Sequence, residues 1–266
     1  MKIARVFARK TTYCPTDEDC YFSPPKLNTP IYDEVHISCT FTWDIQKAKD
    51  LAIQWLKHGK VKIGGVAING EPITPSIPGR YIKNGVVFTS RGCPNRCSFC
   101  LIKQDLIEFD DFPEGNIIQD NNFLACSDRH RDKVFTMLKN QRNIHFQGGL
   151  EAARITPKIA EQLRSVSIKA LWLACDSENA VKPFRKAVGI LHDVGFTANH
   201  IYAYVLIGKD MYEEERRLYD VLAAGAMPFA QLYQPLKRID YSQEWKDFRW
   251  EWSRWEVIRS KLKEVA

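Results

Sequence analysis

Between residues 80 and 239 the sequence predicts a parallel α/β domain, and three observations carry that reading. Short apolar runs rich in β-branched and aromatic residues recur along the segment, they alternate with stretches of helical periodicity, and the connections are brief. The runs cover residues 85–89, 116–125, 143–147, 169–174, 200–207 and 229–234. Helical patterns fall at 128–140, with Val134, Met137 and Leu138, and at 156–166, with Pro157 in the first turn, where a missing N–H costs little. They recur at 180–194, closed by Gly195, and at 212–224. Polar residues also gather where the strands end: Asp120-Asn121-Asn122, residues 147–151, Cys175-Asp176-Ser177, Gly208-Lys209-Asp210, and Gln231 with Gln234. In parallel α/β proteins those ends face one common mouth and carry the chemistry.

A smaller α/β unit is expected over residues 1–79. Strands are predicted at residues 3–7, 34–40 and 61–68, the last broken at Gly64-Gly65. Between the second and third, Ile45, Ala48, Leu51, Ala52, Trp55 and Leu56 recur at helical spacing, with Asp44 as N-cap and Gly59 as the stop. Strand–helix–strand of this length implies a right-handed parallel crossover. Cys14 and Cys20 flank an acidic loop without a second pair and read as loop thiols. Residues 70–80, rich in Pro and Gly, form the predicted linker.

With 266 residues, 45% of them hydrophobic, the chain can bury a substantial core. The opening residues lack the apolar stretch of a signal peptide and no run approaches membrane-spanning length, so a soluble, cytoplasmic protein without a membrane partner is expected. In a reducing compartment eight cysteines point to metal or redox chemistry rather than disulfides. A formal charge of +6 is compatible with a nucleotide or nucleic-acid partner without demanding one.

Cys93, Cys97 and Cys100 stand at Cys-x3-Cys-x2-Cys spacing just after the run Gly85-Val86-Val87-Phe88. Thiolates are soft ligands, and loops of this tightness hold zinc or iron–sulfur clusters. A structural zinc site wants a fourth ligand in regular spacing, and no Cys or His follows until Cys126. Three cysteines would leave one iron of a [4Fe–4S] cube open. The loop 89–100, with Phe99 directly before its last cysteine, resembles the signature of the radical S-adenosylmethionine (SAM) superfamily. The six strand–helix repeats that follow resemble its partial (βα)6 TIM-like barrel over about 150 residues. The resemblance implies a [4Fe–4S] cluster on Cys93, Cys97 and Cys100, SAM on the open iron, and reductive cleavage of SAM to a 5′-deoxyadenosyl radical that abstracts hydrogen from a substrate. It also implies an external one-electron reductant of the flavodoxin or ferredoxin type.

The same resemblance places the SAM contacts. Gly148, Gly149 and Glu151 lie where the superfamily carries a Gly-Gly-acidic stretch, although here Leu150 intervenes. Asp176 follows the fourth strand, where a polar residue meets the ribose, and Ile207-Gly208 resembles the adenine-contacting segment; Phe99 belongs to the cluster loop. Each has a plainer reading: a surface ion pair for Glu151, a helix N-cap for Asp176 and a turn glycine for Gly208. Cys126 and Cys175, at strand ends, are candidate hydrogen-atom donors or buried apolar-like residues. The N-terminal unit resembles a shortened, degenerate Rossmann-like domain of cobalamin-binding relatives over residues 31–70. It lacks Asp-x-His-x-x-Gly, so cobalamin is disfavoured. No second set of three cysteines suggests methylthiotransferase chemistry.

The C-terminal segment, residues 240–266, is rich in Trp and Arg. Trp245, Phe248, Trp252, Trp255 and Leu262 share one helical face, expected to dock on the barrel as core, with Trp250 off the stripe. The substrate reading is a nucleoside, nucleotide or nucleic-acid base. The alternatives are a small metabolite or peptide side chain, and a non-catalytic iron–sulfur or zinc protein that binds nucleic acid.

Overall fold

The structure is a computed structural model that describes residues 1–69 and 79–265. Most of the linker predicted at residues 70–80 lies outside the described residues. The chain divides into two compact units, one of Met1–Val86 with Leu236–Arg238, the other of Val87–Pro235 with Ile239–Ala266.

The first unit is a four-stranded parallel sheet. Its strands are β1 (Ile3–Phe7), β2 (Cys20–Tyr21), β3 (Glu34–Ser38) and β4 (Lys60–Gly64), in the order β2-β1-β3-β4. Helix α1 (Ile45–Gln54) lays Ala48 and Leu51 against Val35, Ile37 and the fully buried Trp55. Asp44 holds the N-cap position of α1 without a side-chain cap bond; its carboxylate instead accepts from Arg9 Nε and Nη2 at 2.6 and 2.7 Å. The strand expected at 61–68 stops at Gly64, and the next residues form the short helix α2 (Val66–Asn69). Cys14 accepts from Thr11 N and donates to Arg9 O, while burial, then Cys14, pushes the Cys20 thiol up to about 12.

The second unit is built on a six-stranded sheet whose order follows the chain. From one edge it runs β5 (Val86–Val87), β8 (Ile117–Ile118), β9 (Ile144–Leu150), β10 (Ile168–Ala174), β11 (Ile201–Ile207) and β12 (Met227–Leu232). Strands β8 to β12 are parallel to their neighbours. A separate ribbon of β6 (Ser90–Arg91) and β7 (Ile107–Glu108) pairs antiparallel. The edge strands β5 and β12 do not pair, so the sheet is open among the described residues. Helices α3 (Asp128–Leu138), α4 (Pro157–Arg164), α5 (Glu178–Asp193) and α6 (Met211–Ala223) make the crossovers. Caps begin three of them: Ser127 accepts from His130 N, Thr156 from Ile159 N and Asp210 from Glu213 N. Strand β11 alternates buried and half-buried residues, which sends Ala203, Val205 and Ile207 into the core under α6.

Two predicted strands have different limits, for one physical reason each. The run 116–125 pairs only at Ile117–Ile118 and then turns through a 3-10 turn at Phe123–Ala125, because Asp120, Asn121 and Asn122 spend their side chains on the neighbouring cysteine loop. Strand β9 instead continues through Gly148 to Leu150; a Cβ at Gly148 would run into the Asp120 carbonyl oxygen, so glycine alone permits this approach.

The C-terminal segment forms two helices, α7 (Gln243–Glu251) and α8 (Trp255–Val265), rather than one. Phe248, Trp252 and Ile258 are buried in the main core, with Trp245 and Trp255 packed against it. Trp252 Nε1 donates to Glu215 Oε1 at 3.2 Å, while Trp250 is 58% exposed under Arg254. No helix of the described residues is long and apolar enough to cross a membrane. Trp252→Ala is expected to lower the unfolding free energy by about 3–5 kcal/mol, and Trp250→Ala by less than about 0.5 kcal/mol. Urea titrations of the two variants measure this; equal losses would contradict the packing described.

Candidate functional site

The cysteine loop leaves the sheet after β5 and is closed at its base by the β6–β7 ribbon. Three consecutive side chains after β8 hold it in place. Asp120, buried at 1% exposure, accepts from Thr89 N at 2.6 Å, from Thr89 Oγ1 and from Ser90 Oγ at 2.9 Å. Asn121 Oδ1 accepts from Gly92 N at 2.9 Å, and Asn122 Nδ2 donates to Cys93 Sγ at 3.3 Å. Within the loop, Cys93 N donates to Gln104 O and Cys100 N to Cys97 O. Arg96 Nη1 and Lys103 Nζ donate to the carbonyls of Cys93 and Cys97 at 2.8 and 2.9 Å. Cys93 and Cys100 are half-buried and Cys97 is exposed. Burial, then Cys100, Cys93 and more weakly Asp176, pushes the Cys97 thiol up, so the three sulfurs share one electrostatic neighbourhood.

A second chain of contacts ties the end of β9 to the same loop. Glu151 Oε2 accepts from Asn122 Nδ2 and Arg154 Nε, both at 2.7 Å. Burial alone would raise its carboxyl, but hydrogen bonds from Asn122, Arg154 and Asn95 of the cysteine loop outweigh it and hold Glu151 below the usual range. Gly149 has φ of 99°, a left-handed backbone that favours glycine, and a Cβ there would meet nothing within 4 Å. Its open side therefore leaves backbone approachable beside the loop. Asn122 Oδ1 is buried without a hydrogen-bond partner.

Phe99 reaches from the cysteine loop into a cavity of about 220 Å³ lined also by Asp176, Leu206, Ile207, Glu214 and Arg217. Asp176 is not the helix cap; Ser177 takes that position, and Asp176 Oδ1 accepts from Leu206 N at 2.9 Å. Glu214 accepts from Gly208 N at 2.7 Å, and Arg217 Nη2 donates to Leu206 O at 2.9 Å. Burial pushes the Glu214 carboxyl up against those amide bonds and Arg217.

Of the residues singled out in the sequence, the structure brings Phe99, Asp176 and Ile207 to one cavity, beside Gly208, and Glu151 to the cysteine loop. Cys175 is fully buried in the apolar core and its thiol is pushed up to about 12 by burial; Cys126 is buried too, pushed up to about 11. Neither is among the residues that line the cavity. Cys126 joins Asp120 and His130 in a group whose ligand atoms lie within 4.8 Å of one another. There Asp120 is already saturated by Thr89 and Ser90, and His130 Nε2 bonds Thr89 Oγ1 at 3.1 Å, which makes the group a fastening for the loop.

Sequence reasoning missed Asn122 as a sulfur contact, and also Glu214 and Arg217. The last two were detectable as charged residues on the apolar face that carries Leu218 and Val221 of α6. Comparison with protein-family models, curated proteins and solved structures returned no match.

Burial, opposed by the Leu206 amide and Arg217, pushes the Asp176 carboxyl up to about 6. A folded pKa above the unfolded value of about 3.9 means that the native chain binds the extra proton. This group's stabilisation is therefore present at low pH and lost as pH rises through about 6. Relative to the parent chain, Asp176→Asn is expected to gain about 2 kcal/mol in stability between pH 4 and pH 7. Urea midpoints at both pH values test this, and parallel curves would refute it.

Proposed function

We propose that this chain is a radical SAM enzyme, and that the open parallel sheet is a partial (βα)6 barrel with its reaction mouth at the strand ends. The observation that carries the reading is that Phe99, from the Cys-x3-Cys-x2-Cys loop, lines one cavity with Asp176 and Ile207 from the ends of two parallel strands. A zinc knuckle explains neither that cavity nor the polar residues converging on it.

The donor set fits a [4Fe–4S] cluster. Three thiols stand on one loop, Asn122 donates to one of the sulfurs, and no fourth cysteine lies in the loop. Cys93, Cys97 and Cys100 would hold the cluster. When bound, it supplies with SAM the reductive cleavage of a carbon–sulfur bond and a 5′-deoxyadenosyl radical. The chain's own residues bind and orient. Glu151, kept ionised, suits the ammonium of the methionine moiety, and Asn122 Oδ1 offers an acceptor beside it. Gly149 admits the backbone approach. Asp176 suits a ribose hydroxyl, while Phe99 and Ile207 with Gly208 offer apolar contact to adenine. Arg96 and Lys103 hold loop carbonyls and thereby fix where the thiols stand.

The proposal includes an external one-electron reductant and a cytoplasmic, reducing setting. It assigns no role to cobalamin, since the first unit lacks the Asp-x-His-x-x-Gly segment. Anaerobically reconstituted protein given SAM and dithionite is expected to release 5′-deoxyadenosine and methionine, and Cys97→Ala to cut that release to background. Full iron loading without cleavage of SAM would make the cluster structural and end the proposal.

A further inference from the structure

The face of the parallel sheet opposite α5 and α6 carries side chains that the cavity does not use. Alternation buries Ile201, Ala203 and Val205 of β11 and turns Tyr202, Tyr204 and Leu206 to the other side. In β9, Ile144 and Phe146 enter the core and leave His145 and Gln147 on that same face. Trp172 of β10 stacks on both tyrosines, with ring centroids 4.8 and 4.7 Å away and interplanar angles of 20° and 24°. Phe229 of β12 meets Trp172 and Tyr204 edge-on and is 38% exposed. Register explains the layer, since Trp172 pairs with Tyr202 and Tyr204 with Phe229. Leu206, two residues beyond Tyr204 on the same side, lines the cavity, so the ring layer adjoins it.

Two polar atoms on this face, Trp172 Nε1 and His145 Nδ1, are buried without a hydrogen-bond partner. Buried donors and acceptors are nearly always paired, so each marks a contact that a ligand edge would complete. The rings and the amides of Gln119 and Gln147 carry no charge, and Gln119 Nε2 donates to Gln147 Oε1 at 3.4 Å. Burial, then the exposed Lys169, lowers the His145 pKa, which leaves its ring neutral at neutral pH. A phenyl ring has no edge groups to match the two nitrogens, and a phenol has a single hydroxyl to offer them. A nucleobase is a flat, uncharged ring with donors and acceptors along its edge.

We propose that this face is the substrate platform and that it takes a nucleobase, stacked on the Trp172, Tyr204 and Phe229 layer and read at its edge by Trp172 Nε1–H and His145 Nδ1. Base–aromatic stacking of this kind is a general mode of base recognition. The inference rests on the radical SAM reading for its chemistry and names the substrate class of that site.

The test is equilibrium dialysis on the intact chain without SAM or reductant, so its outcome does not depend on SAM cleavage. The probes are adenosine, guanosine, cytidine, uridine and a ten-nucleotide single strand of DNA. At least one is expected to bind with Kd below about 1 mM, and Trp172→Ala to weaken it by about fivefold or more. Trp172→Phe, which keeps a ring and loses the N–H, is expected to fall between. Should Trp172→Ala fail to fold, Phe229→Ala at its half-exposed position gives the same reading, with a loss of about twofold or more. Tighter binding of the strand assigns the base to a nucleic acid, and equal binding assigns it to a free nucleoside. Absence of binding by every probe, binding unchanged in the variants, or equal competition by ribose or phenol would overturn the proposal. Base binding without SAM cleavage would keep the platform and remove only its radical chemistry.

Discussion

Asp120 accepts three hydrogen bonds from Thr89 and Ser90 at the end of β8, and the position of everything downstream in the cysteine loop follows from them. A carboxylate at 1% exposure is costly unless its lone pairs are engaged. Burial raises its pKa, and the Thr89 and Ser90 donors oppose that rise. Because two of those donors are Thr89 N and Oγ1, the chain can leave β5 in only one direction. His130 of α3 adds a bond to Thr89 Oγ1, which couples the loop's root to a helix of the main core. A flexible loop of three thiols thus becomes a set of sulfurs at a defined place above a parallel sheet.

From that root the contacts spread by single residues. Asn121 and Asn122 continue the fastening to Gly92 N and Cys93 Sγ, and Asn122 passes it to Glu151 at the end of β9. The close approach of β9 to Asp120 is possible because residue 148 is glycine. On the far side Asp176 binds the amide of Leu206, and Glu214 and Arg217 reach from α6 to Gly208 and Leu206. Most of these polar groups are spent on backbone, which leaves the cavity walls in fixed positions for a ligand.

The fold class was legible because its physics is local. Period-2 and period-3.6 patterns recur from residue 117 to 232, and four of the five parallel strands, with the four crossover helices, follow them within a few residues. The strand at residue 116 was over-read because Asp120, Asn121 and Asn122 look like a polar continuation of a strand, while their bonding partners lie some thirty residues earlier in the chain. A strand-end position does not tell which side of the sheet a thiol takes: Cys175 packs in the main apolar core, whereas Cys126 is buried beside Asp120 and His130. The aromatic tail carries its residues into the core as its helical spacing implies, but a turn at Trp252–Ser253 divides it into two helices.

By itself the sequence determined the alternation of strands and helices, the cysteine spacing and the polar character of the strand ends, since each depends on neighbours a few residues apart. Only the tertiary structure decided that Phe99 shares a cavity with Asp176 and Ile207, that Glu151 is bonded to the cysteine loop, and that Trp172, Tyr202, Tyr204 and Phe229 form one layer. Those contacts join residues some thirty to a hundred positions apart, and their register is set by sheet pairing and by the packing of α5 and α6, which no local pattern encodes.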